Sequence, residues 1–263
     1  ELLGINPVRG NQVLFKPNLN SADPPPGSTH PDVMRAILVA LNEMGAKEIT
    51  LGERSGMGST RQVMQQTGVF DLADELGFKT VAFDELPEQD WIIRQAADHH
   101  WSAGFPVPRL LLDTESIIQT CNLKTHRYGG HFTLALKNSV GFAAKRTTNN
   151  GYNYMSELHN SAYQRHMIAE INTVYKPALI IMDGVEAFLN GHLNLAVDFE
   201  SLDGQPTHIF FLLITPENNT GLHLKLLARI SRILKNEPFK SRLLEAADGD
   251  EILRIIREED EEF

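Results

Sequence analysis

No carboxylate occurs between Glu115 and Glu157. The gap stands out because the chain is acidic overall: 34 Asp and Glu face 24 Lys and Arg over 263 residues, a formal net charge of −10. The same interval carries Lys124, Arg127, Lys137, Lys145 and Arg146. Its centre, LKTHRYGGHFTLALKNSVGF at 123–142, reads as a place built to receive an anion; the competing reading is a basic, solvated loop. The acidic balance excludes general nucleic-acid binding, which needs a basic surface. A small anion needs only a local basic pocket.

Cysteine is almost absent. Cys121 is alone, which rules out an internal disulfide and leaves no thiolate set for zinc or an iron–sulfur cluster. A lone cysteine suits a reducing compartment, so a cytoplasmic protein is expected. No apolar run reaches the roughly 20 residues that span a bilayer. No basic-then-apolar leader opens the sequence, so no signal peptide is expected, although the first residue is Glu1 and the true N-terminus is left open. The nucleophile elbow G-x-S-x-G, the Walker loop and G-x-G-x-x-G are all missing.

What is present alternates between strand and helix. Val13–Phe15 is a short apolar run that ends at Lys16-Pro17-Asn18. The following SADPPPGSTH is loop. Pro31 fits the first turn of a helix along which Val33, Ile37, Leu38 and Leu41 recur; Gly45 fits its stop, and Ile49 and Leu51 begin the next strand. A second helix-strand passage ends in KTVAF, and strand is expected around Ser116–Cys121. ELHNSAYQRHMIAEINTVYKP reads as one amphipathic helix that puts His159 and His166 on a shared face with Tyr163 and Glu170. ALIIMDGVEAF reads as a buried strand ending at Asp183-Gly184. Together these predict an α/β fold, mainly a parallel doubly wound sheet, whose ligands bind beyond the carboxyl ends of the strands. After Gly191 a C-terminal α/β segment follows: the strand HIFFLLIT, a helix from about Leu222 and two short helices.

Lys16, Asn18, Lys124 and Asp183 fall at or just after predicted strand ends. Pro17 fixes the backbone between a cation and an amide. Lys124-Thr125-His126 supplies a point charge, a hydroxyl and a titratable ring. Lys137-Asn138 adds a further cation and amide. Lys16, Asn18, Lys124, Thr125, Lys137 and Asn138 are therefore the expected ligand-binding set, with the three lysines converging on one cleft. His126 is the candidate general acid–base group, since an ordinary histidine pKa near 6.5 suits proton transfer at neutral pH. GERSGMGST at 52–60 could offer backbone N–H groups to a phosphate, or be an ordinary loop. No metal ligands are assigned: His159 and His166 lie about 10 Å apart on a continuous helix.

The fragments VLFKPNLN, GAKEITLGERSG, NLKTHRYGGHFTLALKNSVGF and LIIMDGVEAF occur in that order. They resemble the family called domain of unknown function 362 over about residues 8–191. The resemblance implies a domain of largely unassigned chemistry, often joined to ferredoxin-type iron–sulfur modules. The cysteines of such a module are absent here, so no iron–sulfur cluster is expected from this chain, and the cofactor is unknown. The family's usual continuation after the Asp-Gly strand is absent as well. AVDFESLDGQPTHIFFLLITPENNTGLHLKLLARISRIL is similar to the C-terminal half of enzyme IIA of the fructose, mannitol and nitrogen-regulatory phosphotransferase class. That family carries a phosphoryl group on a histidine in an earlier strand, and no matching Pro-His lies upstream. His223 matches its second, supporting histidine.

The expected organisation is a join: residues 1–191 as the unknown-function-family α/β domain and residues 192–263 as a partial enzyme IIA-like segment. The leading expectation is a small-anion-binding or enzymatic domain of unassigned reaction. The alternative is a phosphotransferase-system regulatory or interaction module without its acceptor histidine. Expected partners are a small anionic ligand and, through the two resemblances, phosphotransferase-system or redox proteins.

Overall fold

The computed structural model describes residues 6–95, 100–126, 130–146, 151–189, 192–194, 199–200, 206–207, 232, 235–247 and 249–261. Two compact units divide the chain, Glu1–Leu195 and Ala196–Phe263.

In the first unit, strand β1 (Gln12–Lys16) leads through a long loop to helix α1 (Pro31–Glu43) and strand β2 (Glu48–Glu53). Helix α1 begins where proline allows it, capped by the His30 ring, which accepts from the Asp32 N–H at 3.1 Å. It stops before Gly45, whose φ of 84° lies in the left-handed region. Helices α2 (Thr60–Gln66) and α3 (Val69–Leu76) then lead to β3 (Lys79–Ala82). A small antiparallel pair, β4 (Trp91–Arg94) and β5 (Phe105–Pro108), precedes α4 (Arg109–Asp113). Strand β6 (Ser116–His126) is followed by β7 (Gly130–Thr133), α5 (Ala135–Asn138), α6 (Tyr154–Asn160), α7 (Gln164–Ile171), β8 (Leu179–Leu189) and β9 (His192–Asn194).

The main sheet runs β3-β2-β1-β6-β8-β9, with β7 added to β6. Five of its strands, β3, β2, β1, β6 and β8, are mutually parallel; β7 and β9 pair antiparallel at the margins. Helices cover both faces, so the fold is α/β with a parallel, doubly wound sheet. The alternation of side chains along a strand divides the core in two. Val13 and Phe15 of β1 pack with Met34, Leu38, Val63 and Val69 on one face. Leu14 packs with Trp101, Phe105, Phe142 and Met167 on the other. The chain builds outward from β1 to β3, then returns to place β6 on the other side of β1. The order therefore reverses between β1 and β6, where a crevice opens at the carboxyl ends of the strands.

Two expectations are corrected. The helix predicted over 157–177 is two helices, α6 and α7. Ser161 is extended (φ −80°, ψ 136°), and its hydroxyl accepts from the Tyr163 N–H at 3.0 Å, a local turn that competes with the helical ladder. The strand predicted to end at Asp183-Gly184 continues to Leu189, and the register against β6 shifts between Asn122 and Lys124. In the second unit the described elements are the pair β10 (Phe199–Glu200) and β11 (Pro206–Thr207) and the helices Glu237–Glu245 and Gly249–Glu261. The predicted strand HIFFLLIT, the helix from Leu222 and His223 lie outside the described residues. Among the described residues, no helix is long and apolar enough to cross a membrane.

Candidate functional site: a cationic cleft at the strand ends

At the reversal between β1 and β6 lies a cleft of about 470 Å³. Asn18 follows β1, Glu53 ends β2 and Arg54 follows it; Cys121, Asn122 and Lys124 come from β6, and Lys137 and Asn138 from α5. Lys145, Arg146, Met155 and His159 complete its rim. Five of the lining side chains are Lys or Arg, and Glu53 is the one lining carboxylate among the described residues.

Glu53 is already committed. It pairs with the Lys16 ammonium at 2.5 Å, both side chains being almost wholly buried. Its second oxygen accepts from the Leu19 N–H at 2.9 Å, and its first also accepts from the Arg54 N–H at 2.8 Å. Lys16 donates besides to the Pro17 carbonyl at 2.8 Å and to Asn138 Oδ1 at 2.9 Å. Lys16 does not line the cleft but sits one residue behind it, against Gly141. A Cβ on Gly141 would lie 2.9 Å from the Lys16 nitrogen and 3.0 Å from a Glu53 oxygen, so glycine lets the wall approach this pair. Burial lowers the Lys16 pKa, while Glu53 opposes that shift.

The amides form a second network. Asn18 Nδ2 donates to Asn122 Oδ1 at 2.7 Å; Asn122 donates in turn to Asp183 at 3.2 Å and to the Ser28 carbonyl at 3.0 Å. Asn138 Nδ2 donates to the carbonyls of Pro17 at 3.1 Å and Thr120 at 2.8 Å. Asp183, also accepting from the His30 N–H at 2.9 Å, stands behind Asn122 and outside the lining.

The cations are less satisfied. Arg54 is only 3% exposed, donates to the Val140 carbonyl and to Met155 Sδ, and leaves its Nε buried with no hydrogen-bond partner among the described residues. Burial pulls its pKa down to about 10, against the pull of Glu53 and Asp84. Lys124 donates to the Gly27 carbonyl at 2.6 Å. Burial, reinforced by the neighbouring Lys137 charge, lowers its pKa to about 8. Lys137 is shifted down by burial and then by Arg54. Lys145 is lowered for the same two reasons, and Asp84 opposes. Cations that burial and one another hold below their usual values gain from an anion placed among them. Cys121 faces the same space, but burial pushes its thiol up to about 11, so it is a poor thiolate at neutral pH.

The expected residues Asn18, Lys124, Lys137 and Asn138 thus lie in one cleft. The side chains of Thr125 and His126 lie outside the described residues, although both belong to β6. Arg54, Lys145, Arg146 and Asn122 were not in the sequence-derived set. The pair Glu53-Arg54 follows the run ITLG directly, and that placement of a charged pair at a strand end is the signal for it. The break between α6 and α7 separates the two histidines: His159 joins the cleft, while His166 and Tyr163 pack against His100, whose ring meets Glu170. Among the described residues, no group of three or more His, Cys, Asp or Glu is placed to hold a metal.

The model for the domain of unknown function DUF362 matches residues 13–199, most of the chain. The chain belongs to the DUF362 family. A second model, that of the phosphoenolpyruvate-dependent sugar phosphotransferase system EIIA 2, matches residues 185–259 of this DUF362 chain. Similar to this second segment are the PTS system fructose-specific EIIABC component of Bacillus subtilis, 44% identical over 64 residues, and the nitrogen regulatory protein of Bradyrhizobium diazoefficiens, 40% identical over 68 residues. These stretches are 24% and 26% of this chain, and they span 10% and 44% of those two proteins. A solved structure, the lactate racemase apoprotein from Thermoanaerobacterium thermosaccharolyticum, superposes over 68% of this chain and 43% of its own, with 14% identity and a TM-score of 0.44.

Proposed function

We propose that the DUF362 portion, residues 1–191, binds a small anionic ligand in the cleft at the β1–β6 reversal, either as a binding domain or as an enzyme. One observation carries this reading: five lining cations surround a space whose one lining carboxylate among the described residues is already neutralised by Lys16. Arg54, Lys124 and Lys137 hold the charge of the ligand, and Asn18 and Asn138 keep the wall in place. Lys16 serves the ligand indirectly by fixing Glu53. His126, next but one to Lys124 on β6, is the candidate acid–base group, and Thr125 is a candidate hydroxyl donor. The test is a thermal-shift series with sulfate, phosphate and small carboxylates. A saturable rise in Tm that Lys137→Ala weakens and the exposed Lys47→Ala leaves intact supports the reading. Equal responses from both variants overturn it.

The match of residues 185–259 to the EIIA model favours a second role. In this role the segment 192–263 is a regulatory or interaction module of phosphotransferase-system type, joined to the DUF362 portion. His223 is kept as the supporting histidine while the acceptor is lacking, so the segment meets its partners without taking a phosphoryl group.

A further inference from the structure

Lys124 stands apart from the other strand-end lysine. Lys16 is clamped to a carboxylate. Lys124 lies in the cleft, and its amino group is held by an uncharged acceptor, the Gly27 carbonyl at 2.6 Å, while burial and then Lys137 lower its pKa and the Asp23 carboxylate opposes that shift. The Lys137 amino group, beside it in the lining, has no hydrogen bond or ion pair among the described residues. Between the cations the walls combine Met57, Leu134, Val140 and Met155 with amides such as Asn20, Asn122 and Asn153, and no Phe, Tyr or Trp lines the space among the described residues. A positioned amine, a second cation next to it, further cations for an acid group and a lining whose one aromatic ring among the described residues is His159 define a narrow class of ligand.

We propose that Lys124 is a nucleophilic amine that forms an imine with the carbonyl of a small aliphatic oxo acid, whose carboxylate is held by Arg54 and Lys137. This rests on the anion-site reading and adds a covalent step to it. The neutral Nζ attacks the carbonyl carbon, and a C–N bond forms as the C=O π electrons move to oxygen. The nitrogen passes one proton to the alkoxide, giving the carbinolamine. Its hydroxyl takes a second proton, for which the Lys137 ammonium is the placed donor, and leaves as water. The protonated imine then returns its remaining N–H proton to Lys137. The net change is amine plus carbonyl to imine plus water, with no oxidant or reductant consumed. Desolvation beside a second cation is a recognised route to a reactive lysine. It agrees with the Lys124 pKa of about 8, against about 10.4 for an ordinary lysine.

The test uses the full chain with glyoxylate and cyanoborohydride, which converts an imine into a stable carboxymethyl group on lysine. Peptide mapping should place that group on Lys124 first. Glycolate, with the carboxylate and no aldehyde, should protect; acetaldehyde, with the aldehyde and no anion, should label Lys124 at least tenfold more slowly. The initial rate should climb as pH rises through about 8, as the amine loses its proton. Lys124→Met should abolish the fast labelling. Lys137→Met, which keeps Lys124, should move the rise to higher pH, because the neighbouring charge that lowers the Lys124 pKa is gone. Labelling spread evenly over exposed lysines such as Lys47 and Lys79, or equal rates with acetaldehyde, overturns the proposal. Saturable glycolate binding by calorimetry with no modification of Lys124 also overturns it, while leaving the anion site standing. No glycolate binding and no modification together sink both.

Discussion

Lys16 and Lys124 show how little the residue type alone settles. Both end or follow apolar strand segments, and both were legible in the sequence as cations at strand ends. Lys16 is consumed by Glu53, a partner that lies 37 positions further on and is invisible to local reading. Removing one member of a buried pair leaves an uncompensated charge, so Glu53→Gln should destabilise the protein by about 3–5 kcal/mol in denaturant unfolding. Adding Lys16→Met to Glu53→Gln should recover part of that loss, because no ammonium is then left buried without its charged partner. Lys124 should behave differently. A charge-assisted hydrogen bond contributes about 1.5–3 kcal/mol. Lys124→Ala should therefore weaken anion binding roughly ten- to hundredfold, while Lys47→Ala changes it little. Calorimetry on the two variants side by side checks this. Thr125 and His126 could be read only as residue types in a promising stretch.

Among the elements, the legible parts were those with strong punctuation. Pro31 and Gly45 bracket α1, and the apolar runs of β1, β2 and β6 announce themselves. The break between α6 and α7 was not legible, because it depends on one serine hydroxyl diverting the backbone. Its consequence is geometric: it sends His159 to the cleft and His166 to the ring of His100. The contribution of β2 to the site was missed for a related reason. GERSGMGST read as an ordinary loop or as one offering backbone N–H groups to a phosphate, whereas the strand end delivers the side chains of Glu53 and Arg54. The turn after α5 brings Gly141 against Lys16 and Glu53. Gly141→Ala would put a methyl group 2.7 Å from Lys16 Cε, so it should cost about 1–3 kcal/mol by overpacking and lower anion affinity at the same time. A variant with unchanged Tm and unchanged binding would show that the wall yields without disturbing the pair.

For the whole molecule, the acid-free interval noticed at the start is distributed over β6, α5 and the loop to α6, and the fold gathers it opposite the ends of β1 and β2. The parallel sheet was legible from the alternation of strand and helix; the edge strands β7 and β9 were not, because three or four residues carry too little pattern. Two family models meet in the chain, overlapping over 185–199. The missing acceptor histidine leads to a firm expectation for the second. Incubation with the general phosphotransferase proteins and phosphoenolpyruvate should leave no stable phosphohistidine within 192–263, and a phosphate mapped to His192, His208 or His223 would reverse that. The central claim concerns the cleft, and a calorimetric titration of sulfate into the full chain addresses it most directly. Sulfate does not titrate in this range, so any pH dependence belongs to the protein. A bound anion favours the charged form of Lys124 and raises its pKa from about 8. Binding should therefore take up protons near that pH, and affinity should fall as pH rises from 7 to 9, with one saturable site. Equal affinity at both pH values without proton uptake, or no saturable site at either, would contradict the account.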